Sequence, residues 1–141
     1  CSSRSIYIVD GGVVNAAGLE VGRKAVLVVL FVPSVERDGV SPIDQEYWVT
    51  EALETLGQTF GGATAFPRAR GVWRDDEMGG ALIKDEPVVL HCYTTPEEIA
   101  DPDRLSRLGS FCRKMGREAR QGEIGLVIGD EYLAFRDFTD E

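Results

Sequence analysis

Three arginines and a tryptophan lie close together in the middle of the sequence, and their side chains could bind an anion. Guanidinium groups bind carboxylates and phosphates through paired hydrogen bonds, and they also stack on aromatic rings. We therefore identify a candidate site for a small anionic ligand, formed by Arg68, Arg70, Trp73 and Arg74. The alternative is that these arginines pair with the acidic turn Asp75-Asp76-Glu77 or lie in water.

A histidine and a tyrosine on one predicted strand could bind a ligand or move a proton. His91 and Tyr93 alternate with Val88, Leu90 and Cys92, so they lie on the opposite face of that strand. If the apolar residues face the helices, His91 and Tyr93 line the other face, where an imidazole could handle a proton. The alternative is that both rings lie in a subunit interface, where such rings are common.

The number and spacing of the cysteines argue against a metal site and against a disulfide framework. Cys1, Cys92 and Cys112 form no CxxC pair, and His91 is the one histidine in the sequence. A structural zinc site usually needs four such ligands, so we predict no metal site and no cofactor. His91 adjoins Cys92, but neighbours on a strand point to opposite faces, which argues against a Cys–His dyad. We therefore predict no catalytic residue.

Capping patterns and apolar spacing predict the helices that frame these residues. Ser41-Pro42-Ile43-Asp44 predicts a helix start with Ser41 as the cap, and Gly61-Gly62 predicts its end. Thr95-Pro96 and Asp101-Pro102 are two further capping patterns, and the second opens a helix with an apolar stripe. The basic stretch from Arg113 to Arg120 lies near the end of that helix.

The strands complete a ferredoxin-like βαββαβ order in an α+β fold. Residues 25–32 are apolar throughout and predict a central strand that is covered on both faces. Extended segments follow at 63–66, 71–74, 81–83 and 88–93, and a Gly129-Asp130 turn joins the last hairpin. We expect an N-terminal extension with a short hairpin at 1–22, the ferredoxin-like domain at 23–136, and a frayed acidic tail at 137–141.

One sheet face stays apolar after two helices cover the other. The first main strand contributes four such side chains, and Val127 with Val72 or Trp73 would extend the surface. An exposed apolar face of this size is rare on a soluble monomer. We therefore predict a homo-oligomer, in particular a dimer, unless the terminal hairpins cover this face.

Charge and hydropathy restrict the partners and the location. The 141-residue chain has a formal net charge of −9, which makes nucleic acid an unexpected partner. No apolar run is long enough for a membrane span, so we predict a cytoplasmic protein. The alternative is a lipoprotein anchored through Cys1, because Cys1-Ser2-Ser3 is a plausible start after signal cleavage.

Two segments resemble parts of small uncharacterised bacterial proteins. They are residues 60–67, Phe-Gly-Gly-Ala-Thr-Ala-Phe-Pro, and Met115-Gly116-Arg117-Glu118 leading to Gln121-Gly122. The resemblance implies a bacterial source and brings no activity with it. The predicted topology also resembles the dimeric α/β-barrel group, which includes small monooxygenases, but fold does not fix function.

Together these observations predict a non-catalytic, self-associating domain that binds a small ligand or a protein partner. One alternative is a small cofactor-free or haem-type enzyme of the dimeric α/β-barrel kind. Another is an acidic inhibitor that mimics nucleic acid.

Overall fold

A computed structural model describes residues 24–139. In chain order, the elements are β1 (Val26–Val32), α1 (Gln45–Phe60), β2 (Thr64–Ala65), β3 (Gly71–Asp75), a 3-10 turn (Asp76–Met78), β4 (Ala81–Asp85), β5 (Val88–Thr94), α2 (Pro96–Ile99), α3 (Pro102–Glu118), β6 (Ile124–Ile128) and β7 (Glu131–Phe135). The N-terminal hairpin predicted within residues 1–22 lies outside the described residues, as does Cys1.

The main sheet has five strands in the order β2-β5-β1-β6-β7, and every neighbouring pair is antiparallel. The fully apolar β1 is central, as its sequence predicts, because β5 and β6 pair with its two edges. The predicted α+β class is therefore confirmed. The exact ferredoxin-like order stays a prediction, since the second strand is only two residues long and β7 extends the sheet.

Residues 71–85 form a separate hairpin, which corrects the predicted sheet. Strands β3 and β4 pair only with each other in a two-stranded sheet, so Val72 and Trp73 do not extend the apolar face of the main sheet. Pro87 has no N–H to donate and separates β4 from β5. The Asp85 carboxylate accepts hydrogen bonds from the backbone N–H and the hydroxyl of Ser34, which ties the base of the hairpin to the end of β1.

The helix caps agree with the sequence at three of four ends. Asp44, not Ser41, caps α1, and its carboxylate accepts a hydrogen bond from the Tyr47 N–H at 3.2 Å. Ser41 instead donates to Asp38, so its hydroxyl belongs to the preceding loop. The predicted caps Thr95 and Asp101 are confirmed at α2 and α3. Gly61 ends α1 as predicted.

Helices α1 and α3 cover one face of the main sheet. Val28, Leu30 and Val32 alternate along β1 and are all 0% exposed. The helices add Trp48 and Phe111, whose rings meet edge to face with centroids 6.2 Å apart. Further buried residues of this core include Ala52, Leu56, Phe60, Leu90, Cys92, Leu108, Cys112, Met115, Ile124 and Leu126. Since the apolar burial is concentrated here, we expect this face to supply most of the folding free energy.

The start of the expected acidic tail is packed. The Phe138 ring lies against α3, and its carbonyl accepts a hydrogen bond from Arg117 Nη1 at 2.6 Å. Phe138 is therefore held in place by contacts with α3, and the predicted extent of the acidic tail, 137–141, stays a prediction. Within residues 24–139, no helix combines the length and the apolar character that crossing a membrane requires.

Candidate functional site

The face of the main sheet opposite α1 and α3 carries the candidate site, and we call it the helix-free face. Its side chains follow from strand alternation and register. They are Leu27, Val29, Phe31, Thr64, Val89, His91, Tyr93, Gly125, Val127, Tyr132 and Ala134. His91 and Tyr93 lie on this face, as their alternation with the buried Leu90 and Cys92 predicts.

One row of side chains crosses all five strands of this face. His91 on β5 lies beside Thr64 on β2 and beside Val29 on β1. Val29 pairs with Val127 on β6, and Val127 pairs with Tyr132 on β7. His91 and Tyr132 are thus three strand intervals apart, or about 14 Å at the usual strand spacing. Val29 and Val127 form the aliphatic middle of the row, which we call the aliphatic floor. His91 lies on one side of it and Tyr132 on the other.

The His91 end of the row is a cluster of rings. Phe66 meets His91 edge to face, with ring centroids 4.8 Å apart. The Phe66 N–H donates to the Val89 carbonyl at 2.9 Å, which continues the pairing of β2 with β5 beyond Ala65. Phe66 is 44% exposed and Tyr93 is 54% exposed, so both rings are available to a ligand. Such rings can stack on a flat heterocycle or attract a cation to their faces.

The Tyr132 end carries a hydrogen-bonded phenol. Tyr132 donates to Glu123 Oε2 at 2.9 Å, and Glu123 Oε1 accepts from Arg136 Nε at 2.9 Å. Burial, together with the bond to Glu123, raises the pKa of Tyr132 to about 12, so the phenol stays protonated at neutral pH. A Cβ at Gly125 would lie 2.5 Å from the Tyr132 oxygen, so glycine at this position makes room for the ring.

The predicted arginine site does not join His91 and Tyr93 in one cluster. Arg74 lies on the separate hairpin and pairs with Asp76, with Nε and Oδ1 2.5 Å apart, as the alternative interpretation expected. Trp73 is on the same hairpin. Arg68 donates to Gln45 Oε1 at 2.6 Å at the start of α1. Arg70 is exposed in the loop before β3. A ligand role for these four residues stays a prediction.

The thiols of Cys92 and Cys112 are buried in the core, on the helix side of the sheet. Burial raises the pKa of Cys92 to about 11 and that of Cys112 to about 12. Such thiols are poor nucleophiles at neutral pH, because the thiolate is the reactive form. In the part of the chain that the structure describes, no group of three or more His, Cys, Asp and Glu side chains could hold a metal ion.

Sequence reasoning missed several residues of the helix-free face. Phe66, Tyr132 and Glu123 were not among the predicted site residues. The signal for Tyr132 was present, because the two-residue turn at Gly129-Asp130 fixes the hairpin register and places Tyr132 opposite Val127. No comparable signal existed for Phe66, whose position depends on the short pairing of β2 with β5.

Among the solved structures that share this α+β fold are two of a phage SAM lyase, and each match covers almost the full length of the lyase chain. The structure in complex with S-methyl-5'-thioadenosine has a TM-score of 0.62 at 11% identity, and the match covers 87% of this chain and 98% of that chain. The structure in the apo state has a TM-score of 0.61 at 14% identity, with the same coverage. The chain matches no protein-family model, and no curated protein matches it.

This similarity contradicts the predicted function. The sequence suggested a non-catalytic, self-associating domain that binds a small ligand or a protein partner, whereas these two structures with a similar fold are of an enzyme. The two alternatives, a barrel-type enzyme and a nucleic-acid mimic, gain no support from these structures. The functional prediction was wrong because we took the lack of a recognisable nucleophile, metal or acid–base motif as evidence against catalysis.

Proposed function

We propose that this chain is an enzyme that binds S-adenosylmethionine (SAM) and cleaves it as a lyase, with S-methyl-5'-thioadenosine as one product. The observation that carries the proposal is the match to phage SAM lyase, which includes 98% of that chain at a TM-score of 0.62. At 11% identity the likeness by itself concerns the fold, so the site is argued from this chain's own residues.

The helix-free face offers the surfaces that such a ligand needs. S-methyl-5'-thioadenosine consists of an adenine, a ribose and an apolar thioether. Phe66, His91 and Tyr93 provide rings on which an adenine can stack, and Val29 and Val127 provide an aliphatic floor for the thioether. The span of about 14 Å from His91 to Tyr132 is long enough for a nucleoside.

Charge also favours SAM over an anionic substrate at this face. SAM carries one net positive charge at neutral pH, and its sulfonium is a cation that aromatic faces attract. The chain's net charge of −9 favours the approach of a cation. In a balanced lyase step, the carboxylate of SAM's own amino-acid chain attacks the carbon that carries sulfur, and the carbon–sulfur bond breaks. The chain leaves as a lactone that keeps its ammonium group, and the electron pair stays on sulfur, which gives a neutral thioether. An apolar surface favours such a loss of charge, because it solvates ions poorly.

The test is to incubate the purified protein with SAM and measure S-methyl-5'-thioadenosine by liquid chromatography and mass spectrometry. We expect product to form, and we expect His91→Ala to lower its rate roughly 5- to 150-fold by removing a ring contact of roughly 1–3 kcal/mol. Tyr47→Ala is the matched control, since Tyr47 is a partly exposed aromatic residue on α1, away from the helix-free face.

Two results would count against the proposal. If the unmodified protein forms no product and titration calorimetry detects no binding of S-methyl-5'-thioadenosine, the lyase assignment is wrong. If Tyr47→Ala lowers the rate as much as His91→Ala, the site is not on the helix-free face. A cytoplasmic location is part of the same proposal, because SAM is an intracellular metabolite.

We further propose that the working form is a homo-oligomer, in which a second copy covers part of the helix-free face. Tyr93 and Tyr132 are both more than half exposed there, next to the aliphatic floor, and a ligand on an open sheet needs a second wall. Native mass spectrometry should show a dimer or a larger species of the untagged protein. A monomer at micromolar concentration that still cleaves SAM would contradict this proposal and leave the lyase assignment intact.

A further inference from the structure

The Tyr132 end of the helix-free face carries polar side chains that the proposed adenine contacts do not use. Ile124 and Phe135 form the outermost residue pair between β6 and β7 at this end. Glu123 and Arg136 are the next residues outward, and Glu123 Oε1 accepts a hydrogen bond from Arg136 Nε at 2.9 Å. Since side chains alternate along a strand, both lie on the same face as Tyr132. An ion pair and a phenol therefore lie together at this end of the face.

The Tyr132 ring is held in place by its neighbours. Its hydroxyl donates to Glu123 Oε2 at 2.9 Å. The ring lies beside Phe31 of β1, with ring centroids 6.5 Å apart. A Cβ at Gly125 would lie 2.5 Å from the phenol oxygen, so a larger residue there would displace the ring. Tyr132 is nevertheless 57% exposed, so a ligand can reach it.

The hydrogen bonds at this end leave Tyr132 and Glu123 as acceptors. A phenol has one proton, and Tyr132 donates it to Glu123. Burial, together with the bond to Glu123, raises the pKa of Tyr132 to about 12, so this proton stays in place at neutral pH. A carboxylate has about four lone-pair sites, and Glu123 uses one for Tyr132 and one for Arg136. A ligand group that meets these oxygens must therefore be a hydrogen-bond donor.

The charges at this end favour a cationic donor over a neutral one. The Arg136 side chain is 76% exposed and that of Glu123 is 36% exposed, so water screens the guanidinium group more than the carboxylate. Hydrogen bonds from a charged donor are also stronger than those from a neutral donor. The chain's net charge of −9 adds to the attraction of a cation. SAM has such a donor, the ammonium group of its amino-acid chain, which lies beyond the sulfur as seen from the adenine.

We propose that Glu123 and Tyr132 bind the ammonium group of SAM's amino-acid chain, and that Arg136 is a positioning residue that holds the Glu123 carboxylate. This inference rests on the proposed lyase function and extends it to the second half of the substrate. With the adenine on the rings near His91 and the sulfur over the aliphatic floor, the amino-acid chain continues toward Tyr132.

Such an ammonium subsite suits the lyase step. The ammonium group takes no part in the bond changes, so acceptors can hold the amino-acid chain there while its carboxylate stays free to attack. The product S-methyl-5'-thioadenosine has no ammonium group. The subsite therefore favours binding of the substrate over binding of this product.

The test uses two thioethers of 5'-deoxyadenosine that differ only at the end of the chain on sulfur. The aminopropyl compound has an ammonium group at the position that it occupies in SAM, and the butyl compound has a methyl group instead. Neither compound has a sulfonium or a carboxylate, so the proposed lyase step cannot consume them. Titration calorimetry on the unmodified protein should show that the aminopropyl compound binds about tenfold more tightly, as a charge-assisted contact predicts.

Two variants locate this preference. Glu123→Gln removes the charge and keeps the shape, so we expect the preference to disappear while the affinity for the butyl compound changes less than about twofold. Tyr132→Phe keeps the ring and removes one acceptor, so it should lower the preference about threefold. Glu54→Gln is the matched control, since Glu54 is exposed on α1, on the other side of the sheet, and the variant changes the net charge by the same amount.

Several results would overturn the ammonium subsite. Equal affinity of the unmodified protein for the two compounds would do so, and formation of S-methyl-5'-thioadenosine from SAM would show that the lyase assignment still stands. An equal loss of affinity for both compounds in Glu123→Gln would place the carboxylate against the ribose that they share. An unchanged preference in Glu123→Gln would mean that the ion pair only closes the end of the hairpin. A loss of preference in Glu54→Gln as large as that in Glu123→Gln would assign the effect to the charge of the whole chain.

Discussion

The two faces of the main sheet use the same strands in different ways. On the helix side, Val28, Leu30 and Val32 of β1 are completely buried under α1 and α3. On the helix-free face, the same strand presents Leu27 and Phe31, which are only partly buried. Strands β5 and β7 add the exposed rings of Tyr93 and Tyr132 to this face.

Under the proposed function, this difference separates residues that stabilise the fold from residues that bind the ligand within single strands. Each residue of β1 and β5 serves one face only, because side chains alternate. A substitution on the helix-free face can therefore change a ligand contact without opening the core. The converse also holds, since a core substitution should lower stability and affect the site only through unfolding.

The largest expected effect is a loss of stability on the helix side. Leu30→Ala should lower the free energy of unfolding by about 3 kcal/mol, because it removes a fully buried side chain and leaves a cavity. His91→Ala should lower it by less than about 1 kcal/mol, since His91 is only partly buried beside Phe66. Urea denaturation followed by circular dichroism measures both values.

The two variants also control for each other in the SAM assay. Below the unfolding transition, Leu30→Ala should keep the activity per folded molecule, whereas His91→Ala should lower it. Equal losses of stability in the two variants would show that the helix-free face is as important to the fold as the core. The proposed separation of roles would then be wrong.

The main strands and helices could be predicted because local signals agree with tertiary packing. The apolar run 25–32 could only be a central strand, and the caps Thr95 and Asp101 act within one turn of their own helices. The start of α1 was misplaced because Ser41-Pro42 matches a cap equally well. Its hydroxyl is instead engaged by Asp38, three residues earlier, which the helix pattern does not encode.

The candidate site was harder to predict because its members meet through strand pairing. The face on which His91 and Tyr93 lie was predicted from alternation alone, which is a local property. Their neighbours Thr64, Phe66 and Val29 come from other strands, and their registers depend on contacts between residues far apart in sequence. The same limit explains the misassigned hairpin, since extended segments 71–74 and 81–83 carry no sign of which sheet they join.

A smaller loss of stability is expected at alkaline pH, and it should come from the two cysteines that are buried on the helix side of the sheet. The pKa values of Cys92 and Cys112 rise on folding from 9.0 to about 11 and about 12, so the folded state holds these protons more tightly than the unfolded state. Their contribution to stability is complete below pH 9 and is lost progressively as pH rises toward the folded values, on the order of 1 kcal/mol per thiol by pH 10. Urea midpoints at pH 8 and pH 10 should therefore fall further in the unmodified protein than in the Cys92→Ala, Cys112→Ala double variant. The cavities left by alanine lower the free energy of unfolding equally at both pH values, so the difference between the two proteins in the fall of the midpoint comes from the thiols. An identical fall in both proteins would mean that these thiols ionise as easily in the folded protein as in the unfolded chain. The helix side would then not be the water-poor layer that its burial indicates.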